Sequence, residues 1–190
     1  MRRFFDRLRA RRETAAIRAL PDRRLMAETF IPVLAETRAR ILWVGSRAYT
    51  AQDYAALEQF GAEVWTTDID PRAERWGRRG RHRTGDVCEI DQVFPDLRFD
   101  AIICNGVLGY GVDTLEMQAR SLAAMANVLV EGGVLILGWN TDKIDDPVAA
   151  GLTEAMYERT SIGCSASREE FSTVTHVYDC LRRKGPSLKA

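Results

Sequence analysis

Two residues of this chain stand at a spacing that suits a nucleoside ligand. Gly45 follows the apolar run "RILWV", and Asp68 ends the next apolar run, 23 positions later. A glycine after a strand lets the backbone approach a ligand, and a carboxylate about 20 residues further on accepts hydrogen bonds from both ribose hydroxyls. Asp70, just before Pro71, suits the cap of a short helix, which leaves Asp68 free for a ligand. The spacing therefore predicts a nucleoside site at the ends of two strands.

The elements that must hold these residues alternate along the chain. Continuous apolar strands separated by helices indicate a mostly parallel sheet with helices on both faces. The last strand alternates polar and apolar residues, which predicts a less buried, antiparallel strand near one edge. Asp22 is expected to cap the second helix, and Pro32 to bend it. Strands are expected at 40–45, 62–68, 81–86, 99–105, 134–140 and 173–183, and helices at 1–20, 22–37, 51–60, 113–130, 147–158 and after Pro71.

The composition argues against several classes of protein. Formal net charge is +0 over 190 residues, so no global field attracts nucleic acid, although Arg-rich stretches lie at 1–20 and 72–83. The four cysteines are widely spaced and form no CxxC pair, so neither a zinc site nor a redox motif is indicated. No apolar run of about 18 residues would span a membrane, and no apolar segment follows the basic N-terminus as in a secretory signal. A cytoplasmic protein is expected.

Six segments, in their order and spacing, resemble the class I S-adenosylmethionine (SAM)-dependent methyltransferases. They are "ILWVGSRAYT", "TTDIDP", "RTGDVCEI", "FDAIICNGVLGYGVD", "NVLVEGGVLILGWN" and the closing strand "THVYDCLRR". The resemblance covers residues 40–183 and implies an α/β, Rossmann-like sandwich. Its mostly parallel seven-stranded sheet would have an antiparallel last strand and helices on both faces. Residues 1–39 would form a helical cap on a SAM-binding domain over 40–190.

The resemblance also assigns roles to single positions, with SAM as the cofactor and S-adenosylhomocysteine (SAH) as the product. Asp68 would take the ribose hydroxyls, Ile69 would pack on the adenine ring, and Asp86 would accept from the adenine amino group. Gly45 would let the chain pass close to the methionine part. The full cofactor-binding set that it implies is Gly45, Ser46, Arg47, Asp68, Ile69, Asp86, Val87, Asn105 and Gly106.

The loop after the first strand departs from the family pattern. Trp43 stands where an acid is common, and Arg47 and Tyr49 stand where further glycines are usual. Neither side chain permits positive φ or close backbone approach, so a different loop path is expected. Arg47 or Ser46 would then meet the SAM carboxylate with its side chain. The alternative is an occluded site in which Arg47 is a surface residue.

Methyl transfer from a sulfonium needs alignment first, and a base only where the acceptor must lose a proton. Tyr110 and Asp113, on the turn after the fourth strand, are the predicted catalytic residues, and Tyr110 would equally serve as a lid aromatic. His176 is a weaker candidate, since a lone histidine on a strand is more often structural. Trp139 would wall the acceptor pocket, and Asn140 would orient a polar acceptor.

The function implied is methyl transfer to a small or extended polar acceptor, such as a sugar or secondary metabolite, at oxygen or nitrogen. The expected partner is this small-molecule or glycan acceptor and not DNA; a homodimer or a protein partner through the N-terminal helices is left open. The altered loop supports an alternative, a non-catalytic scaffold of the same fold. A nicotinamide-dependent oxidoreductase is disfavoured because no GxGxxG follows the first strand. An RNA-modifying enzyme would use the Arg-rich stretches and bind RNA with steep salt dependence.

Overall fold

The computed structural model describes residue 9 and residues 12–37 and 39–185, and its strands form one sheet. The strands are β1 (Arg40–Val44), β2 (Glu63–Asp68), β3 (His82–Thr84), β4 (Phe99–Asn105), β5 (Leu129–Asn140), β6 (Tyr157–Arg159), β7 (Arg168–Glu170) and β8 (His176–Arg183). Their order is β3-β2-β1-β4-β5-β8-β6, with β7 also paired to β8. The first five strands run parallel, and β8 runs antiparallel to β5. The predicted fold class is confirmed, and the sheet has eight strands because β6 and β7 add two to the six that the sequence located.

Helices cover both faces of this sheet. They are α1 (residues 12–18), α2 (Pro21–Leu25), α3 (Ile31–Glu36), α4 (Ala51–Leu57), α5 (Ile90–Val93) and α6 (Leu115–Val128), with 3-10 turns at Glu58–Phe60, Pro71–Trp76 and Val87–Glu89. One face packs on α3 and α4 through a core that includes Ile31 and Tyr54. The other packs on α5 and α6 through a core that includes Ile90 and Leu122. Among the described residues, no helix is long and apolar enough to cross a membrane.

The predicted second helix consists of two α-helical pieces joined by a π turn. The turn, Met26–Phe30, lies directly before α3. Pro32 has no N–H and cannot continue the α-helical ladder, so the wider turn carries the chain past it. The helix begins at Pro21, and Asp22 lies buried in its first turn, where it makes no capping hydrogen bond. The expected bend at Pro32 therefore has a structural counterpart, whereas the expected cap at Asp22 is wrong.

Two further segments differ from the expectation. Residues 147–156, expected to be helical, form a run of turns. Gly151 has φ +76°, and the backbone hydrogen bonds around it span three, four and five residues, so no regular ladder forms. Strand β8, expected to be less buried, lies between β5 and the short strands β6 and β7, and residues 176–181 are all buried. The short strands β6 and β7 cover the edge of β8 that the alternating sequence pattern predicted to be exposed.

The parallel register positions the predicted site. Val44 pairs with Thr67 of β2 on one side and with Cys104 of β4 on the other. The next residue of each strand or loop is Gly45, Asp68 or Asn105. These three residues therefore meet at the carboxyl edge of the sheet, where ligands of such sheets bind.

Candidate active site

A cleft opens at this edge, and it gathers most of the predicted site residues. Those on its walls are Gly45, Arg47, Asp68, Ile69, Asp86, Val87, Asn105, Gly106 and Tyr110. Two predicted residues lie outside the walls. Ser46 is fully buried beneath the loop, and Asp113 faces a neighbouring groove. The walls also include Val107 and Met117, which the sequence did not single out.

Side chains hold the loop after β1 where glycines were expected. Gly45 has φ +88°, a conformation that favours glycine. Beyond it, Thr50 Oγ1 accepts from the Arg47 N–H at 3.0 Å and donates to the Arg47 carbonyl at 2.9 Å. The same oxygen lies 2.9 Å from the Tyr54 hydroxyl, and the Tyr54 ring packs edge to face on Trp43. One glycine and a threonine brace therefore hold this loop in place.

Asp68 is buried at the end of β2 and accepts three hydrogen bonds. Its Oδ2 accepts from the Ser46 N–H at 2.9 Å and from Arg47 Nη1, and its Oδ1 accepts from the Asp70 N–H at 2.9 Å. The Asp68 side chain is 3% exposed, against 50% for that of Arg47. Asp70 caps the following 3-10 turn, as predicted. Arg47 thus contacts the group predicted to bind ribose, a contact that the sequence did not indicate.

The wall beyond Asp68 suits a purine. Ile69 is 67% exposed although it is apolar, and it lines the cleft together with Val87. Asp86 accepts from the Cys88 N–H at 2.8 Å through Oδ1. A carboxylate has about four acceptor positions, so Asp86 retains capacity for a ligand amino group. An apolar surface beside a carboxylate matches the ring and the amino group of adenine.

Asn105, at the end of β4, connects the cleft to buried polar groups on β8. Its Nδ2 donates to the Tyr178 hydroxyl at 2.8 Å, and its Oδ1 has no partner among the described residues. The bond passes over Gly138, which pairs in register with both residues. A Cβ at Gly138 would lie 2.6 Å from Asn105 Oδ1 and 2.7 Å from His176 Nε2. The sequence signal for this contact was Gly138, which interrupts the apolar run 134–139.

A chain of hydrogen bonds fixes the protonation of His176. Thr175 donates to Asp142 at 2.6 Å, so its hydroxyl accepts from Asn140 Nδ2 at 3.0 Å. Asn140 Oδ1 then lies 3.1 Å from His176 Nδ1. Because an amide oxygen can only accept, Nδ1 must carry the ring proton. Burial lowers the pKa of His176 to about 3. So weak a base does not deprotonate an acceptor near neutral pH.

Of the two residues predicted to be catalytic, only Tyr110 lines the cleft. The residue is 57% exposed, and its ring centroid lies 5.7 Å from Lys143 Nζ. Asp113 accepts from the Gly111 N–H at 3.0 Å outside the cleft. Trp139, expected to wall the acceptor pocket, is buried and donates to Asp179 at 2.9 Å. Of these three residues, Tyr110 is therefore the one on the cleft wall.

The N-terminal helices reach the wall of the cleft. Arg18 Nη1 donates to the Tyr49 carbonyl at 2.9 Å and to Asp53 at 2.7 Å. The Arg23 guanidinium lies 5.2 Å from the centroid of the Tyr49 ring. Tyr49 itself lines the cleft. Helices α1 and α2 therefore support the loop that carries Gly45 and Arg47.

Comparison with known proteins also indicates a methyltransferase. A family model described as a methyltransferase domain matches residues 44–137. N-methyltransferase NodS from Bradyrhizobium japonicum WM9 is similar in structure, with a TM-score of 0.62 and 16% identity over 88% of this chain and 99% of that one. A TehB-like SAM-dependent methyltransferase from Corynebacterium glutamicum has a TM-score of 0.62 and 19% identity over 93% and 99% of the two chains.

A third similar structure contains both ligands of a methyl transfer. It is the 1,6-didemethyltoxoflavin-N1-methyltransferase of Burkholderia thailandensis with 1,6-didemethyltoxoflavin and SAH bound, with a TM-score of 0.55 and 19% identity over 77% of this chain and 72% of that one. No curated protein matches the sequence significantly.

The donor set of the cleft fits SAM. A buried carboxylate stands where ribose hydroxyls would donate, an apolar wall adjoins it, and Asn105 Oδ1 is a buried acceptor without a partner. SAM is the cofactor, and SAH is the product formed when SAM gives up its methyl group. With the matched methyltransferase domain and the order of the strands, these features identify the chain as a SAM-dependent methyltransferase with the class I fold.

Proposed function

We propose that this enzyme binds SAM in the cleft between the ends of β1, β2 and β4 and transfers its methyl group to a small polar acceptor. The observation that carries the proposal is the position of Asp68, buried at the end of β2 with its carboxylate on the cleft wall. Bound SAM supplies an activated methyl group on a sulfonium. Alignment and exclusion of water are then the main tasks of the protein.

The proposed cofactor contacts follow the cleft from one end to the other. Asp86 and the apolar side chains of Ile69 and Val87 hold the adenine, and Asp68 holds the ribose. Gly45, Arg47, Asn105 and Gly106 surround the methionine part. Ser46 acts through its backbone, because its N–H fixes the Asp68 carboxylate while its hydroxyl is buried without a partner.

Tyr110 is proposed to contact the methyl acceptor. It stands on the turn that follows Asn105 and Gly106, beside the proposed methionine end, and its ring is exposed. Two of the similar structures are named N-methyltransferases, and one of them has 1,6-didemethyltoxoflavin bound. A neutral nitrogen acceptor needs no base before transfer, and among the described residues no histidine lines the cleft. We therefore favour nitrogen over oxygen in a small polar acceptor.

The proposal is tested by transfer of a labelled methyl group from SAM to a panel of amines, heterocycles, sugars and phenols. We expect a methylated amine or heterocycle, with Tyr110→Phe active and Tyr110→Ala impaired, because the ring is needed to hold the acceptor. Loss of activity in Tyr110→Phe would instead make the hydroxyl a base. A product found only among sugars or phenols would contradict the preference for nitrogen.

A further inference from the structure

We propose that Arg47 changes its partner when the cofactor binds. Its guanidinium would move from Asp68 to the carboxylate of the cofactor's amino-acid part. The exchange would make the cleft selective for nucleosides that carry this carboxylate. The inference rests on the proposed placement of SAM in the cleft. The residue concerned, Arg47, stands where a glycine was expected, so the inference rests on a feature of this enzyme's own loop.

The acceptor capacity of Asp68 requires the exchange. A carboxylate offers about four acceptor positions. Three are taken by the Ser46 N–H, the Asp70 N–H and Arg47 Nη1. Two ribose hydroxyls would need two positions, and one remains. One of the three present donors must therefore withdraw before both hydroxyls can bind.

Arg47 is the donor that can withdraw. Ser46 and Asp70 donate through backbone N–H groups, which are fixed by the loop brace and by the capped 3-10 turn. The Arg47 donor is the end of a long side chain that is half exposed, whereas the Asp68 side chain is buried. A half-exposed guanidinium loses this ion pair at modest cost, because water solvates the released arginine and the ribose hydroxyls take its place on the buried Asp68. Rotation of this side chain would break the Nη1 bond to Asp68 and the bond from the same Nη1 to the Ser46 carbonyl at 2.8 Å.

The cofactor offers a new partner for the released arginine. The α-carboxylate is the anionic group of SAM and SAH, and a planar guanidinium binds carboxylates through two parallel hydrogen bonds. The backbone of Arg47 lies two residues after Gly45, on the loop proposed to pass the methionine part. A nucleoside without this carboxylate would displace Arg47 from Asp68 with no compensating contact. Arg47 would then hinder such a ligand and help the complete cofactor.

Calorimetric titration with two ligands separates these effects. SAH carries the amino-acid part, whereas 5′-methylthioadenosine shares the adenosine and the sulfur and lacks the carboxylate. In Arg47→Ala we expect 5′-methylthioadenosine to bind about three- to fivefold tighter and SAH about three- to fivefold weaker, as for the removal of one partly exposed ion pair in each case. Arg47→Lys, which keeps the charge without the planar fork, should fall between wild type and Arg47→Ala.

Arg72→Ala is the matched control, because this exposed arginine pairs with Asp70 and does not line the cleft. It should leave both affinities unchanged. If the two affinities change in the same direction in Arg47→Ala, or do not change, the proposed exchange is wrong. SAH binding by the wild type would still support the cofactor site in that case. A folded wild type that binds neither ligand would overturn the proposed site and the exchange together.

Discussion

Arg168 on β7 neutralises a carboxylate that is fully buried. Its Nε and Nη2 donate to Asp179 at 2.8 and 2.9 Å, and its Nη1 and Nη2 donate to Asp146 at 2.6 and 3.0 Å. Asp146 and Asp179 raise the pKa of the guanidinium, and Arg168 in turn lowers the pKa of Asp146. One side chain thus joins β7, β8 and the turns after residue 146.

Replacement of this arginine should destabilise the fold strongly. In Arg168→Ala, the Trp139 N–H would be the one side-chain donor left to Asp179 in the described part of the chain, and an uncompensated buried charge costs about 3–5 kcal/mol. Urea unfolding should show this loss. Arg120→Ala is the control, since Arg120 and Glu89 form an exposed pair whose loss should cost under about 1 kcal/mol. Equal losses in the two variants would show that the Asp179 charge is compensated elsewhere.

His176 should make the fold sensitive to acid. Burial lowers its pKa from 6.5 to about 3, so between these values the unfolded chain binds a proton that the native protein does not. Its contribution to stability is therefore complete above pH 6.5 and is lost as the pH falls toward 3. Between pH 7 and about pH 4.5, wild type should lose about 2–3 kcal/mol more than His176→Gln.

Chemical unfolding of both proteins at the two pH values measures this difference. The pKa of His82 is also lowered by burial, but that residue is present in both proteins and its effect cancels. Parallel losses of stability in wild type and His176→Gln would mean that His176 titrates alike in the native and unfolded states.

At the scale of elements, two glycines of similar conformation allow a matched test of the loop. Gly45 has φ +88° after β1, and Gly132 has φ +73° within β5, away from the cleft. Alanine at either position should cost about 1–2 kcal/mol, because an L-residue is strained in this region. A Cβ at Gly45 would contact Val107, whereas one at Gly132 meets open space.

Only the Gly45→Ala variant should lose cofactor affinity. Relaxation of the strained loop would move the Ser46 N–H away from Asp68, and we expect SAH binding to weaken about tenfold, as for loss of one hydrogen bond to a charged group. Gly132→Ala should bind SAH like the wild type. Thermal unfolding and calorimetric titration report the two effects separately. Similar SAH affinities in the two variants would show that the loop conformation does not control the site.

At the scale of the whole molecule, the charge distribution indicates how strongly the protein should bind nucleic acid. Most arginines of the 72–83 stretch are paired within the chain, and Glu58 alone holds both Arg78 and Arg81. Arg72 pairs with Asp70, and Arg83 with Asp96. We therefore expect RNA and DNA oligonucleotides to bind only weakly, with Kd above about 10 µM at 0.1–0.2 M salt in fluorescence anisotropy. Tight binding with a steep salt dependence would contradict this and favour a nucleic-acid acceptor.

The fold was largely predictable because its signals are local. Apolar runs, Gly61 after α4 and Pro71 after β2 each specify an element or its end, and the order of elements then limits the sheet. The turns at 147–156 were not predictable from periodicity, because the break at Gly151 arises from one backbone conformation. The burial of β8 depends on β6 and β7, whose three-residue length gives too short a pattern to recognise.

The site was predictable in its positions and less so in its contacts. Strand ends and the register of a parallel sheet bring Gly45, Asp68 and Asn105 together whatever the side chains around them do. The contact of Arg47 with Asp68 depends on where a flexible side chain reaches, and that of Asn105 with Tyr178 depends on the pairing of three strands. Side-chain reach and long-range register leave no periodic trace in a sequence.

The most direct measurement for this account is calorimetric titration of the full chain with SAH, for wild type, Asp68→Asn and Asp70→Asn. We predict micromolar binding to the wild type and at least about tenfold weaker binding to Asp68→Asn, because an amide cannot accept from both ribose hydroxyls while it holds the loop. Asp70→Asn, which alters the neighbouring cap outside the cleft, should bind like the wild type. A folded wild type that does not bind SAH, or an Asp68→Asn variant that binds it equally well, would contradict the proposed site.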